Sequence, residues 1–118
     1  MSELRTETPV AGVIGAESAA IAVPLVLVAD ANRASRTRRA RQLEQRGYRV
    51  CVSRTPFETI VKASCHLPDV ILVDASLGEG DIESTTALLS TCPATAHIPL
   101  VRLAAGQRLP VLPQRSSA

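Results

Sequence analysis

Residues 67–77 read LPDVILVDASL, and within them Val70, Ile71, Leu72 and Val73 run without interruption into Asp74. Four aliphatic residues in a row are too few for a helix core. A strand without polar alternation is one covered on both faces, as in a parallel sheet. Residues 25–33, LVLVADANR, repeat the pattern: Leu25 to Val28 form a second aliphatic run, and the acid Asp30 follows it closely.

Between and beyond these runs the chain alternates in kind. Asp30 or Asn32 offers a side-chain cap for a helix over 33–46, which stops at Gly47 and carries a thin apolar stripe of Ala34, Ala40 and Leu43. Residues 48–53, YRVCVS, alternate and are rich in strand formers. Thr55 can cap a helix with Pro56 at its first position and Glu58 three residues past the cap, packing through Phe57, Ile60, Val61 and Ser64 and stopping near Leu67 and Pro68. After Asp74 a loop over 75–80 leads to a helix over about 81–90, with Ile82, Ala87, Leu88 and Leu89 available for packing and Pro93 closing it. Residues 98–103, IPLVRL, form a fourth strand, and Arg102 suits it to a place near the sheet edge.

The order βαβαβαβ predicts an α/β fold: a parallel sheet with helices on both faces and right-handed crossovers. In the flavodoxin-like strand order the first and third strands are neighbours, and ligands gather at the carboxyl ends of strands where the order reverses. Asp30 and Asp74 are therefore expected to face each other there, the one chemically suggestive constellation in the chain.

The 118 residues suffice for one small core and exclude a multidomain enzyme. The expected organisation is a flexible leader over 1–23, a folded domain over 24–105 and an irregular, proline-containing tail over 106–118. A net charge of +2 announces neither nucleic acid nor membrane as partner. Residues 9–29 resemble a membrane span, but Glu17 and Pro24 interrupt them, so a soluble protein is expected. Cys51, Cys65 and Cys92 share no metal or redox spacing; they read as structural thiols in a reducing cytoplasm. His66 and His97 stand at element ends and read as surface or capping residues. The cluster Arg33, Arg36, Arg38, Arg39, Arg41 and Arg46 invites nucleic-acid binding through the first helix, but a helix needs a solvated face and these residues supply it, so the reading stays third and weak.

Taken together, LVLVADANR at 25–33, QLEQRGYRV at 42–50, LPDVILVDASL at 67–77 and PATAHIPLVRLAA at 93–105 resemble the receiver domain of two-component response regulators, from about Pro24 to Ala105. The resemblance implies that Asp74 stands at the phosphoacceptor position and Asp30 at the first of the paired pocket acids. It also implies a non-enzymatic role in phosphorelay signalling, with a histidine kinase or phosphotransfer protein as partner. Mg²⁺ would be held weakly by Asp30, Asp74 and the backbone carbonyl of Ser76. The departures are specific. Ala31 falls on the second acid and Ala104 on the Ser/Thr at the end of strand four; Gly78 and Ile82 replace a common proline and glycine. The lysine expected after a fifth strand is absent, since the only lysine, Lys62, lies on the second helix.

A missing positive donor of this kind is worth on the order of 3 kcal/mol in rate, so phosphotransfer is expected to be impaired. The rival reading is a phosphorylation-independent docking module, a pseudo-receiver. Residues 106–108 are too few for a crossover, so RLPVLP is not expected to be an ordinary fifth strand, and the resemblance then implies that the family's fourth helix, fifth strand and fifth helix are lacking, as expected of a truncated or decaying gene product. Strand four then becomes an exposed edge open to self-association, and one sheet face must be covered by a partner, a second copy or the folded-back tail.

Overall fold

The computed structural model describes residues 23–112; the leader expected over 1–23 and the tail from 113 onward lie outside the described residues, Val23 excepted. In chain order the elements are β1 (Leu25–Ala29), α1 (Arg33–Gln45), β2 (Arg49–Ser53), α2 (Pro56–His66), β3 (Val70–Asp74), a 3₁₀ turn (Ala75–Leu77), α3 (Glu79–Thr91) and β4 (Leu100–Leu103). The four strands form one sheet in the order β2-β1-β3-β4. All three pairings are parallel, with Leu27 opposite Cys51, Val28 opposite Leu72 and Asp74 opposite Leu103. This is the flavodoxin-like arrangement the sequence predicts, and among the described residues β4 is its last strand.

The two aliphatic runs are the centre of the sheet. Every residue of β3 is buried, and so are Val26 to Ala29 of β1. Their alternate side chains build two cores. Leu27, Ala29, Ile71 and Val73 face α2 and α3 and pack with Ala63, Leu77, Ile82, Leu89 and Ile98. Val26, Val28, Val70 and Leu72 face the other way, with Leu43 of α1, Leu103, Leu109 and Leu112. The face that a further helix would cover is thus partly closed by residues 109–112 of the chain itself. They do so without forming a strand.

Local chemistry sets the helix limits. The Asn32 side chain accepts from Ser35 N and caps α1, while Gly47, at φ +94°, turns the chain out of its end where a side chain would be strained. Thr55 caps α2 by accepting from Glu58 N, and Pro56 occupies the first turn. Glu58 Oε1 reaches back to Arg54 N at 2.6 Å.

The helix faces differ from expectation in three places. On α1, Ala34 is exposed, and the buried residues are Leu43 and Arg39. On α2, Phe57, Val61 and Ser64 point to solvent, whereas Thr59 and Ala63 are buried and Ile60 packs beside them. On α3, which begins at Glu79 rather than near 81, Ala87 and Leu88 are exposed and Thr85 is buried with Ile82 and Leu89. Close approach to a sheet favours small side chains, and Thr59 satisfies its hydroxyl locally, bonding Thr55 O at 2.8 Å and Ser53 Oγ at 2.7 Å. The fourth strand is shorter than 98–103: Ile98 is buried ahead of it, and Arg102 turns outward to pair with Glu79 at 3.0 Å.

Candidate functional site: an acid pair closed by a guanidinium

β1 and β3 are paired neighbours with Ala29 opposite Val73, so the next residue on each, Asp30 and Asp74, emerges at the same carboxyl-end edge of the sheet. Both are buried, at 0% and 2% exposure. Two carboxylates so placed need charge compensation, because an isolated buried anion is strongly disfavoured. The compensation comes from Arg39, which projects from α1 and is 1% exposed. Its Nη1 donates to Asp74 Oδ1 and, at 3.3 Å, to Asp30 Oδ2. Its Nη2 donates to the backbone carbonyls of Ala104 at 3.2 Å and Gln107 at 3.0 Å.

The expectation that Arg39 belongs to the solvated face of the first helix is therefore corrected. It lies one turn before the buried Leu43 and shares its inward face. Arg36 also bends inward, donating to Asp30 O at 3.0 Å, which leaves Arg33, Arg38, Arg41 and Arg46 exposed.

The remaining oxygens are engaged as well. Asp30 Oδ1 accepts from Asn32 N at 2.9 Å and from Ser76 Oγ at 3.0 Å, and Asp30 Oδ2 accepts from the Ser35 hydroxyl. Asp74 Oδ2 accepts from Ser76 N at 2.8 Å. Ser76 Oγ in turn accepts from Ala31 N at 3.0 Å. In this network Ser76 contributes its hydroxyl and N–H, where the sequence suggested its carbonyl. Burial pushes the Asp74 carboxyl up, but the hydrogen bond from Ser76 N and the contact with Arg39 outweigh it and hold the group below the ordinary carboxylate value. Of the buried side-chain polar atoms described, Arg39 Nε has no hydrogen-bond partner.

A cleft of about 270 Å³ opens beside the pair, lined by Asn32, Ser35, Arg38, Asp74, Ser76 and Gly106 among others. Ala31, the residue after Asp30, is exposed. Ala104 presents no hydroxyl but lends its carbonyl to Arg39. Lys62 is engaged elsewhere, donating to Val52 O at 2.6 Å.

Mg²⁺ demands near-octahedral oxygen coordination at about 2.0–2.1 Å. The residues do not fit that demand: each carboxylate oxygen already accepts a hydrogen bond, and a fixed cation lies between the two groups. Among the described residues no cluster of three or more His, Cys, Asp or Glu could hold a metal ion. Sequence reasoning missed Arg39 and Ser35. The i, i+4 spacing of Arg39 to Leu43, set against two acids without a counter-charge, is the signal that finds the first.

No protein-family model matches the chain, and no curated protein matches it in sequence. Solved structures do. The N-terminal domain of a response regulator receiver protein from Methanoculleus marisnigri JR1 superposes with a TM-score of 0.65 at 27% identity, over 78% of this chain and 72% of that one. The chemotaxis response regulator CheY4 of Vibrio cholerae matches with a TM-score of 0.63 at 20% identity, over 68% and 67%. The receiver domain of a signal transduction histidine kinase from Syntrophus aciditrophicus matches with 0.63 at 23%, over 69% and 61%. The chain has the fold of the response-regulator receiver domains. Among the described residues no helix is long and apolar enough to cross a membrane.

Proposed function

We infer that the chain is a receiver-like module of two-component signal transduction, acting in the cytoplasm as a signalling part and not as an enzyme, with Asp74 at the phosphoacceptor position. The observation that supports this best is the convergence of Asp30 and Asp74 at the carboxyl ends of adjacent parallel strands. The partner is a histidine kinase or phosphotransfer protein. In the transfer, an Asp74 oxygen attacks the phosphorus of a phosphohistidine, the N–P bond breaks, and the imidazole keeps the electron pair and takes a proton. This step is impaired here, because Asp74 is buried and its nucleophilic oxygen is tied to Arg39.

That same ion pair favours a second reading, a pseudo-receiver that docks to its partner without phosphorylation. One experiment separates the two. The protein is incubated with acetyl phosphate or a phosphorylated histidine kinase in the presence of Mg²⁺, and the intact mass is followed. Slow gain of one acid-labile phosphoryl group, abolished in Asp74→Asn, supports the phosphorelay role. No gain under saturating donor refutes it and leaves the docking module.

A further inference from the structure

We propose that Arg39 is the resident cation of the acid pocket: it takes the place between Asp30 and Asp74 that a divalent metal would need, and it straps the pair to the chain segment that closes the sheet. Both halves follow from one fork of donors. Nη1 serves both carboxylates and Nη2 serves the carbonyls of Ala104 and Gln107. A guanidinium presents its donors in a rigid plane and keeps its charge, so it can fill a buried anionic notch permanently where a metal would exchange.

The segment it holds is a turn that leads into the covering residues. Residues 104–107 form a turn, with Gln107 N on Ala104 O at 3.0 Å, Ala104 N on Gln107 Oε1 at 2.8 Å, and Gly106 at φ +74°. Immediately beyond it Leu109 and Leu112 are buried against Val26, Val28, Leu72 and Leu103. Arg39 is thus a positioning residue for the chain leaving β4. The acid pair, the guanidinium and the covering segment form one connected unit. The inference rests on the ion-pair geometry and not on phosphotransfer; a protein that accepts phosphate slowly, or not at all, leaves it standing.

The test uses the full chain with Mn²⁺ as the metal probe. Wild type is expected to show no saturable binding at millimolar Mn²⁺ and no change in melting temperature with Mg²⁺. Arg39→Met frees the carboxylates and is expected to bind Mn²⁺ saturably at concentrations about tenfold or more below the millimolar range at which wild type shows no binding. Its backbone amides over 104–112 are expected to exchange with solvent at least about tenfold faster than in wild type, with a smaller change in β2. Arg39→Lys keeps the charge but cannot span four acceptors, so it should reproduce the faster exchange of 104–112 without the gain in metal affinity. Arg41→Ala, on the same helix but exposed and away from the cleft, should match wild type in both measurements. Saturable Mn²⁺ binding by wild type that perturbs the Asp30 and Asp74 signals overturns the proposal. So does exchange over 104–112 that is unchanged in Arg39→Lys, a readout that stands even where Arg39→Met fails to fold.

Discussion

Leu109 and Leu112 offer a sharp perturbation, because Val111, one of the two residues between them in the chain, supplies its own control. The first two are 9% and 5% exposed and pack into the core beneath them, whereas Val111 is 95% exposed. Truncating a buried leucine to alanine costs about 2–5 kcal/mol, the spread reflecting how far the surroundings collapse into the space. Both leucines sit at the margin of their cluster, where the neighbours can relax, so each substitution should cost about 2 kcal/mol. For a small domain with a urea m-value of about 1.5 kcal/mol/M, that lowers the unfolding midpoint by roughly 1.3 M. Val111→Ala removes only exposed surface and should stay within about 0.5 kcal/mol, or roughly 0.3 M. The double variant should lose less than the sum, since both side chains border one cluster. Urea unfolding followed by far-UV circular dichroism reads all four. Leucine variants that shift no further than Val111→Ala would refute the claim that this segment seals the sheet.

Two further outcomes concern the acid pair. In a double-mutant cycle, Arg39→Met and Asp74→Asn should each destabilise, the first by about 3–5 kcal/mol because it leaves carboxylates buried without a counter-charge, while the pair together costs at least about 1 kcal/mol less than the sum; additivity in urea unfolding would mean that the two side chains do not interact. The acid limb of the stability curve should depend on Asp74. Its carboxyl is held below the ordinary value of 3.8, so the stabilisation is fully present above that value and is lost as the pH falls through the lower native one. Acid titration followed by circular dichroism should show this loss in wild type and a flatter limb in Asp74→Asn.

The sheet was legible because its signals are local and redundant. Two aliphatic runs too short for helices and a succession of crossovers leave few topologies open, and each run stops at or beside an acid. The helix faces were legible only in part. Ranking by hydrophobicity selects Phe57, Val61 and Leu88, but proximity to the sheet selects Thr59, Ala63 and Thr85, whose smaller side chains permit close approach. A threonine that bonds its own helix backbone is apolar enough for that place, and nothing in a hydrophobic periodicity marks it. Arg39 escaped for the opposite reason: in a helix crowded with arginines, composition identifies a solvated face but not which member turns inward. That choice depends on the acid pair, and so on a contact 35 residues away in sequence.

The contacts of Arg39 with the acid pair and with residue 104 have a common physical logic. Two buried carboxylates balanced by one guanidinium leave a single net negative charge, which backbone N–H groups and the hydroxyls of Ser35 and Ser76 can solvate. The end of β4 is joined to the pocket as well, because Arg39 reaches the backbone carbonyl of Ala104, a contact available whatever side chain the position carries. The link between acid pair and strand end is therefore made by a fixed side chain and a backbone carbonyl.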